Sequence, residues 1–238
     1  MEKHFYKIIP DTAVCRTVSG GLPQIQQIRK EILMDSIIFD VDGTLWDSTA
    51  VCAEAWNTVI RQEDPGLPLL TAETLRGLFG KPLPEIASIV FSRESRQRQL
   101  ELIDACCQEE HRALLEKGSP LYPGLEETLK ALRKSYRLFI VSNSQAGYIE
   151  VFLQASGLAS LFEGHLCAGD TGKPKGDNIR SVVERYQLDS PVYVGDTLGD
   201  FQAARQAGTQ FVYAAYGFGE VPYPDYTIHL PEDLLNIF

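Results

Sequence analysis

Short apolar runs alternate with amphipathic segments over most of the chain, and this pattern predicts strands and helices in turn. The runs at 37–39, 137–141 and 192–194 are almost entirely apolar, as in strands that are buried on both faces. Shorter strands are predicted at 165–168 and 211–214. Segments with apolar residues three or four positions apart, typical of helices, lie between the runs. The alternation predicts an α/β fold with a Rossmann-like, doubly wound parallel sheet.

The segment from 48 to 119 departs from this alternation because it contains no convincing strand. A long polar helix is predicted from 92 to about 117. Its apolar face is assigned to Leu100, Ile103, Cys107 and Leu114. An all-helical block inside an α/β chain predicts an inserted helical cap domain at 48–119, with a core formed by 34–47 and 120–238.

The first 33 residues show weak periodicity and contain several prolines and glycines. Met34 stands three residues before the first apolar run, so a chain that began there would hold the whole predicted core. We therefore expect 1–33 to be an N-terminal extension of uncertain structure. A helix near 24–33 that docks on the core is an equally open alternative.

Composition and charge narrow the classes of function. The 238 residues are 44% hydrophobic, enough for a packed core, and 22 basic against 32 acidic residues give a net charge of -10. Such a charge argues against general binding to nucleic acid or to anionic membranes. No apolar run approaches the roughly 20 residues of a membrane-spanning helix, and the N-terminal residues lack the apolar core of a signal peptide. Five cysteines without a CxxC pair fit reduced thiols, so we expect a cytoplasmic protein.

Polar residues follow three of the predicted strands at the point where each strand ends. They are Asp40 and Asp42, Ser142 and Asn143, and Asp196 and Asp200. The carboxyl ends of parallel strands meet at one edge of a sheet, so these groups should converge there, near Lys173 and Lys175 at a helix start. Close carboxylates repel unless a cation lies between them, which predicts a Mg²⁺ site for phosphoryl chemistry. Taken alone, the Asp-x-Asp-Gly segment is also typical of a solvated turn.

These motifs, in this order, resemble those of the haloacid dehalogenase superfamily. An Asp-x-Asp-Gly-Thr-Leu motif stands at 40–45, a serine after a hydrophobic strand at Ser142, and Gly-Asp-x-x-x-Asp at 195–200. A lysine before a helix stands at Lys173 or Lys175. The resemblance covers residues 34–238. Within the superfamily, the chain resembles the phosphatase branch, in particular the phosphoglycolate phosphatase and β-phosphoglucomutase type, whose members carry a helical C1-type cap.

Two lysines compete for the position of the catalytic lysine. Relatives with Lys-Pro-x-Pro would select Lys173, but Gly176 replaces the second proline here. Relatives with Lys-Gly-acidic before the helix would select Lys175, which Gly176 and Asp177 follow. We favour Lys175, because it lies nearer the helix start, where backbone amides and the lysine could bind one anion together.

The resemblance implies a catalytic role for each acidic residue. Asp40 would be the nucleophile that forms an aspartyl-phosphate, and Asp42 would protonate the leaving oxygen and then activate water. Asp40, the main-chain oxygen of Asp42, and Asp196 would hold Mg²⁺. Asp200 would support the metal shell or Lys175.

Substrate contacts are implied for a second set of residues. Ser142 and the lysine would bind the equatorial phosphate oxygens, with Asn143 beside them and the backbone at Gly43 allowing close approach. Gly80 and Lys81 fall where capped relatives place a specificity loop.

The expected function is therefore that of a Mg²⁺-dependent phosphatase that hydrolyses a small phosphate monoester. A phosphosugar mutase needs the same residues and stays an alternative, and a non-catalytic phosphate-binding regulatory protein is a further one. The expected partner is a small phosphorylated metabolite, with no nucleic acid and no membrane, and the expected assembly is a monomer or a homodimer.

Overall fold

Six parallel strands form the sheet that organises the fold. In chain order they are β1 (Ser36–Phe39), β2 (Arg137–Ser142), β3 (Gly164–Cys167), β4 (Pro191–Gly195), β5 (Gln210–Ala214) and β6 (Tyr226–Ile228). The spatial order is β3-β2-β1-β4-β5-β6, with β1 in register against both β2 and β4. This computed structural model describes residues 34–238, so the expectations for 1–33 and for a helix at 24–33 lie outside the described residues.

Helices follow the strands along the chain. They are α1 (Thr49–Glu63), α2 (Ala72–Arg76), α3 (Leu83–Val90), α4 (Arg96–Lys117), α5 (Leu125–Leu132), α6 (Tyr148–Ser156), α7 (Ala168–Thr171), α8 (Lys175–Tyr186), α9 (Leu198–Ala207) and α10 (Leu234–Ile237). Short 3₁₀ turns lie at Ala159–Leu161 and Pro231–Asp233. Within residues 34–238, no helix combines the length and the apolar character that a membrane span requires.

Both faces of the sheet are covered, because successive side chains of a strand point to opposite sides. Ile37 and Phe39 of β1 pack into a larger hydrophobic cluster that includes Leu129 of α5. Ile38 packs into a smaller cluster with Ile179 of α8. Full burial of such a side chain stabilises the fold by about 1.5–3 kcal/mol. The predicted α/β class with a doubly wound parallel sheet is confirmed.

Helices α1 to α4 lie between β1 and α5, where an all-helical insert was predicted. The long helix begins at Arg96 and not at Ser92, because the Ser95 hydroxyl caps it by accepting a hydrogen bond from the Arg98 N–H. The exact bounds of the predicted core and cap domains stay a prediction.

The predicted apolar face of α4 is wrong at Leu100, whose residue is 41% exposed. The buried face of α4 includes two polar residues, Gln99 and Glu110. Each has hydrogen-bond partners inside the protein, so each can be buried. A prediction based on the spacing of apolar residues does not find such polar positions. Ile103, Cys107 and Leu114 are buried as predicted, so the true buried face contains most of the predicted one and is wider.

Strand β6 was not predicted. It is three residues long, it lies at the edge of the sheet, and only Ile228 of its residues is buried. A strand with one buried side chain leaves no alternating or continuous apolar pattern to detect.

Candidate active site

The loop after β1 places two carboxylates at the carboxyl edge of the sheet. The Asp40 N–H donates to the Val194 carbonyl at 2.9 Å, which continues the pairing of β1 with β4 by one residue. The chain then turns at Gly43, whose φ is 81°. A Cβ there would come within 2.0 Å of Asp196 Oδ2, so only glycine allows this approach. The Gly43 N–H donates to the Trp46 carbonyl at 3.0 Å, so the structure shows a conformational requirement for Gly43, and its predicted phosphate contact stays a prediction.

A buried acidic cluster forms where β1 and β4 end. Carboxylate oxygens of Asp40, Asp196 and Asp200 lie within 4.8 Å of one another. The Lys175 ammonium donates to Asp40 Oδ1 at 2.9 Å and to Asp200 Oδ1 at 2.6 Å. The cluster thus brings together residues from three elements that are far apart in sequence, as their positions after strands and before a helix predict.

Asp200 uses its two oxygens for two purposes. Oδ2 accepts from the Thr197 hydroxyl at 2.7 Å, and the Asp200 N–H donates back to that hydroxyl, which forms a capping box at the start of α9. Oδ1 accepts from Lys175. The helix cap therefore fixes the carboxylate that positions the lysine.

Three carboxylates and one ammonium leave the acidic cluster short of positive charge. Burial raises the pKa of Asp40 to about 7, with Lys175 opposing that shift and Asp200 adding to it. Burial and the charges of Asp200 and Asp40 raise the pKa of Asp196 well above its usual range. A divalent cation would relieve this repulsion, and oxygen ligands without histidine or cysteine suit Mg²⁺ better than zinc. Asp40, Asp196 and Asp200 are the residues that would hold it.

The two lysines occupy different environments. Lys175 is the first residue of α8, is only 4% exposed, and lies in the acidic cluster. Burial would lower its pKa, but the charges of Asp200 and Asp40 outweigh burial and raise it. Lys173 is exposed, and its carbonyl accepts a hydrogen bond from Asn178. The geometry favours Lys175 for the role that the resemblance implies.

The Asp42 carboxylate points away from the acidic cluster. Its Oδ1 accepts hydrogen bonds from Ser48 at 2.5 Å, from Tyr148 at 2.6 Å and from the indole N–H of Trp46 at 3.0 Å. Burial raises the pKa of Asp42 against the effect of these three donors. The metal contact predicted for Asp42 is through its main-chain oxygen, and it stays a prediction.

The residues after β2 connect the core to the helical insert. Ser142 is buried, and its hydroxyl accepts from the Ser144 N–H at 3.2 Å. The Asn143 amide donates to the Gly80 carbonyl at 2.8 Å. Asn143 thus holds the predicted specificity loop in this structure, while its phosphate role stays a prediction. Lys81 is paired with Glu85 at 2.9 Å, and its side chain is 41% exposed.

A cavity of about 40 Å³ lies between the acidic edge and the helical insert. Among its lining residues are Asp40, Asp42, Ser142, Asn143, Gly80 and Lys81, which the sequence analysis singled out, and Trp56, Glu110, Gln145 and Tyr148, which it did not. In the sequence, Tyr148 and Trp56 have the spacing of ordinary apolar positions on helices, and Glu110 lies in a helix that is mostly polar. The sequence carries no signal that these side chains meet.

Comparison with known proteins agrees with this fold and this site. The family model for haloacid dehalogenase-like hydrolases matches residues 37–214. A phosphoglycolate phosphatase (plasmid) of Cupriavidus necator is 31% identical over 192 residues, which are 77% of this chain and 81% of that protein. A phosphoglycolate phosphatase of Synechococcus elongatus is 31% identical over 216 residues, 85% of this chain and 96% of that protein. A solved haloacid dehalogenase-like hydrolase of Streptococcus pneumoniae aligns with a TM-score of 0.75 and 27% identity, covering 86% of this chain and 98% of that one.

The fold, the acidic site and these comparisons together define a phosphatase with a Rossmann-like α/β core. The chain belongs to the haloacid dehalogenase-like hydrolase family, because the family model covers most of the described residues and similar proteins are aligned over most of their length. The predicted resemblance and the predicted class of enzyme are confirmed.

Proposed function

We propose that the protein is a Mg²⁺-dependent phosphatase that hydrolyses a small phosphate monoester through an aspartyl-phosphate on Asp40. The observation that carries this proposal is the buried cluster of Asp40, Asp196 and Asp200 with Lys175 at the carboxyl edge of the sheet. Bound Mg²⁺ would supply the positive charge that lets a carboxylate approach a phosphate dianion.

The residues divide the reaction into two displacements at phosphorus. In the first, an Asp40 oxygen forms a bond to phosphorus while the ester oxygen leaves and takes a proton from Asp42. In the second, Asp42 accepts a proton from water, whose oxygen bonds to phosphorus and releases the Asp40 carboxylate and inorganic phosphate. Lys175 and Ser142 would stabilise the charge on the other phosphate oxygens.

The arrangement on Asp42 supports its part in proton transfer. A carboxyl group with a raised pKa can carry a proton closer to neutral pH than an exposed aspartate can. Its three donors all contact Oδ1, so Oδ2 stays available to the substrate oxygen and to water.

The proposal extends to the setting of the reaction. The acidic net charge and the absence of a CxxC pair support a cytoplasmic enzyme that acts on a small phosphorylated metabolite. We propose a monomer or a homodimer as its assembly.

The test is a screen of phosphorylated metabolites with released phosphate as the readout, run with Mg²⁺ and with EDTA. We expect Mg²⁺-dependent release from at least one small monoester. Absence of phosphate release from every ester, together with conversion of sugar phosphates to their isomers, would replace the phosphatase by a phosphosugar mutase. Release that continues at full rate in EDTA would contradict the role of the metal.

A further inference from the structure

Glu110 is a buried carboxylate that the proposed reaction does not use. It lies on α4, it is 3% exposed, and it lines the cavity that also contains Asp42. Its Oε2 accepts from the indole N–H of Trp56 at 2.6 Å, and its Oε1 accepts from the Gln145 side-chain amide at 2.8 Å. Both donors are neutral, and none of the ion pairs within residues 34–238 includes Glu110. A buried carboxylate without a cation is costly, and two neutral donors offset only part of that cost, so a further donor from a ligand would stabilise its ionised form.

Glu110 lies where the alcohol portion of a phosphate ester would be bound. The proposed proton donor Asp42 must face the leaving oxygen, so the alcohol portion of the ester must extend into the same cavity. Gln145 follows β2 in the core, whereas Glu110 and Trp56 belong to the helical insert. Glu110 is therefore the acidic group that the insert presents to the leaving alcohol.

The unused hydrogen-bonding capacity of Glu110 defines the chemistry it can recognise. A carboxylate has about four acceptor positions, and each Glu110 oxygen receives one donor from the protein. A hydroxyl or an ammonium group of the alcohol could donate to a free position. A carboxylate on the alcohol would place like charges in a small buried cavity, where they repel strongly.

Among the lining residues within 34–238, Lys81 is the one with a positive charge, and Lys175 reaches the cavity only through its contact with Asp40. Lys81 lines the cavity, but its ammonium is paired with Glu85 and is partly exposed to solvent. With the insert in contact with the core, the cavity is small, about 40 Å³, so a bulky alcohol would require the insert to move away from the core.

We propose that Glu110 is a specificity-determining residue whose carboxylate accepts a hydrogen bond from a hydroxyl or ammonium group on the leaving alcohol and disfavours esters whose alcohol carries a carboxylate. The substrate class is then the phosphate esters of short polyols or amino alcohols. This inference rests on the proposed phosphatase function.

The test measures kcat/KM of the intact protein with Mg²⁺ for four esters at pH 8, above the pKa of about 7 to which burial raises Glu110, so that its carboxylate is ionised. They are glycerol 3-phosphate, O-phosphoethanolamine, 2-phosphoglycolate and, as a reference without a donor or a charge on the alcohol, propyl phosphate. We expect at least one of the first two to exceed propyl phosphate about tenfold, mainly through a lower KM, and 2-phosphoglycolate to fall below it. The comparison between glycerol and ethanolamine esters distinguishes a hydroxyl from an ammonium group.

Glu110→Gln removes the charge and keeps an acceptor oxygen. The Gln145 amide also contacts His111 Nε2 at 3.0 Å, and it can turn its oxygen toward the new amide group if His111 carries its proton on Nε2. In this variant, the ratio of 2-phosphoglycolate to propyl phosphate should rise about tenfold, and the ratio for O-phosphoethanolamine should fall. The matched control is Glu116→Gln on the exposed side of the same helix, which should leave every ratio unchanged. Ratios measured on one preparation do not depend on the fraction of folded protein.

The outcomes separate the inference from the function on which it rests. Hydrolysis of several esters with a wild-type preference for 2-phosphoglycolate, or with ratios that Glu110→Gln does not change, overturns the role of Glu110 alone. No hydrolysis of any ester overturns the proposed function and the inference together. If Glu110→Gln does not yield folded protein, the wild-type ranking decides.

Discussion

The two sides of the cavity both bury carboxylates, but they give them different partners. At the sheet edge, Asp40 and Asp200 share the ammonium of Lys175. Elsewhere in the cavity, Asp42 on the loop after β1 and Glu110 on the helical insert receive their hydrogen bonds from neutral groups, the side chains of Trp46, Ser48 and Tyr148 and those of Trp56 and Gln145.

This difference in partners separates two kinds of chemistry. A cluster with fixed charges and too little positive charge favours a cation and, through it, a phosphate. Carboxylates held by neutral donors in a buried site keep a raised pKa, so their charge can change during a reaction or on binding of a ligand. The acidic cluster is thus suited to the phosphoryl group. The part of the cavity around Asp42 and Glu110 is suited to proton transfer and to the alcohol.

The strongest test of the sheet edge is Asp40→Asn. An amide cannot serve as the nucleophile, so kcat should fall by about 10³-fold or more, while the circular dichroism spectrum stays that of the folded protein. Single-turnover phosphate release measures the effect. Mg²⁺-dependent turnover retained within tenfold of the wild type would remove Asp40 from the proposed role.

The next test separates the two lysines. Lys175→Met should lower kcat about 10²-fold or more and, without Mg²⁺, destabilise the protein by about 3 kcal/mol, because it leaves buried carboxylates without their cation. Mg²⁺ should raise the melting temperature of this variant more than that of the wild type.

Lys173→Met is the matched control, because Lys173 is exposed and lies two residues away. It should change kcat and the melting temperature little. A larger loss of kcat in the Lys173 variant than in the Lys175 variant would reverse the assignment of the lysine.

The acidic cluster and Asp42 could be predicted from the sequence and the surroundings of Glu110 could not, for a physical reason. Asp40, Ser142 and Asp196 each follow an apolar strand, and parallel strands bring their ends together whatever the intervening chain does. The meeting of Glu110 with Trp56 depends on how two helices are rotated against each other. The predicted apolar face of α4 was correct at Ile103, Cys107 and Leu114, but it made no provision for a buried carboxylate, so Glu110 was not singled out.

Burial of Glu110 also predicts a dependence of stability on pH. Burial raises the pKa of Glu110 from 4.5 to about 7. The hydrogen bonds from Gln145 and Trp56 oppose this shift, and the charge of Asp42 adds to it. A raised pKa means that the folded protein binds more protons than the unfolded chain between these values. The stabilising contribution is therefore present below about pH 4.5 and is lost as the pH rises through about 7, by up to about 3 kcal/mol.

Glu110→Gln removes this titration. The melting temperature of the variant, relative to the wild type, should rise between pH 5 and pH 8, whereas that of the control Glu116→Gln should not follow this change. Thermal unfolding at several pH values gives the measurement. A constant difference for Glu110→Gln would mean that Glu110 is ionised throughout and that the contrast between the two sides of the cavity is smaller than the geometry indicates.

The smallest expected effect concerns one of the contacts between the core and the helical insert, the hydrogen bond from Asn143 to the Gly80 carbonyl. Gly80 has a φ of 88°, and a Cβ there would lie 3.0 Å from Thr197 Cγ2. Gly80→Ala should therefore strain the loop, weaken this bond and destabilise the protein by about 1 kcal/mol, with a rise in KM of about fivefold. Gly66→Ala, whose Cβ would meet no atom closer than 3.7 Å, is the control and should leave KM unchanged. Equal KM values for the two variants would show that the position of the loop does not depend on Gly80, and the specificity of the site would then rest on Glu110 and its neighbours without this contact.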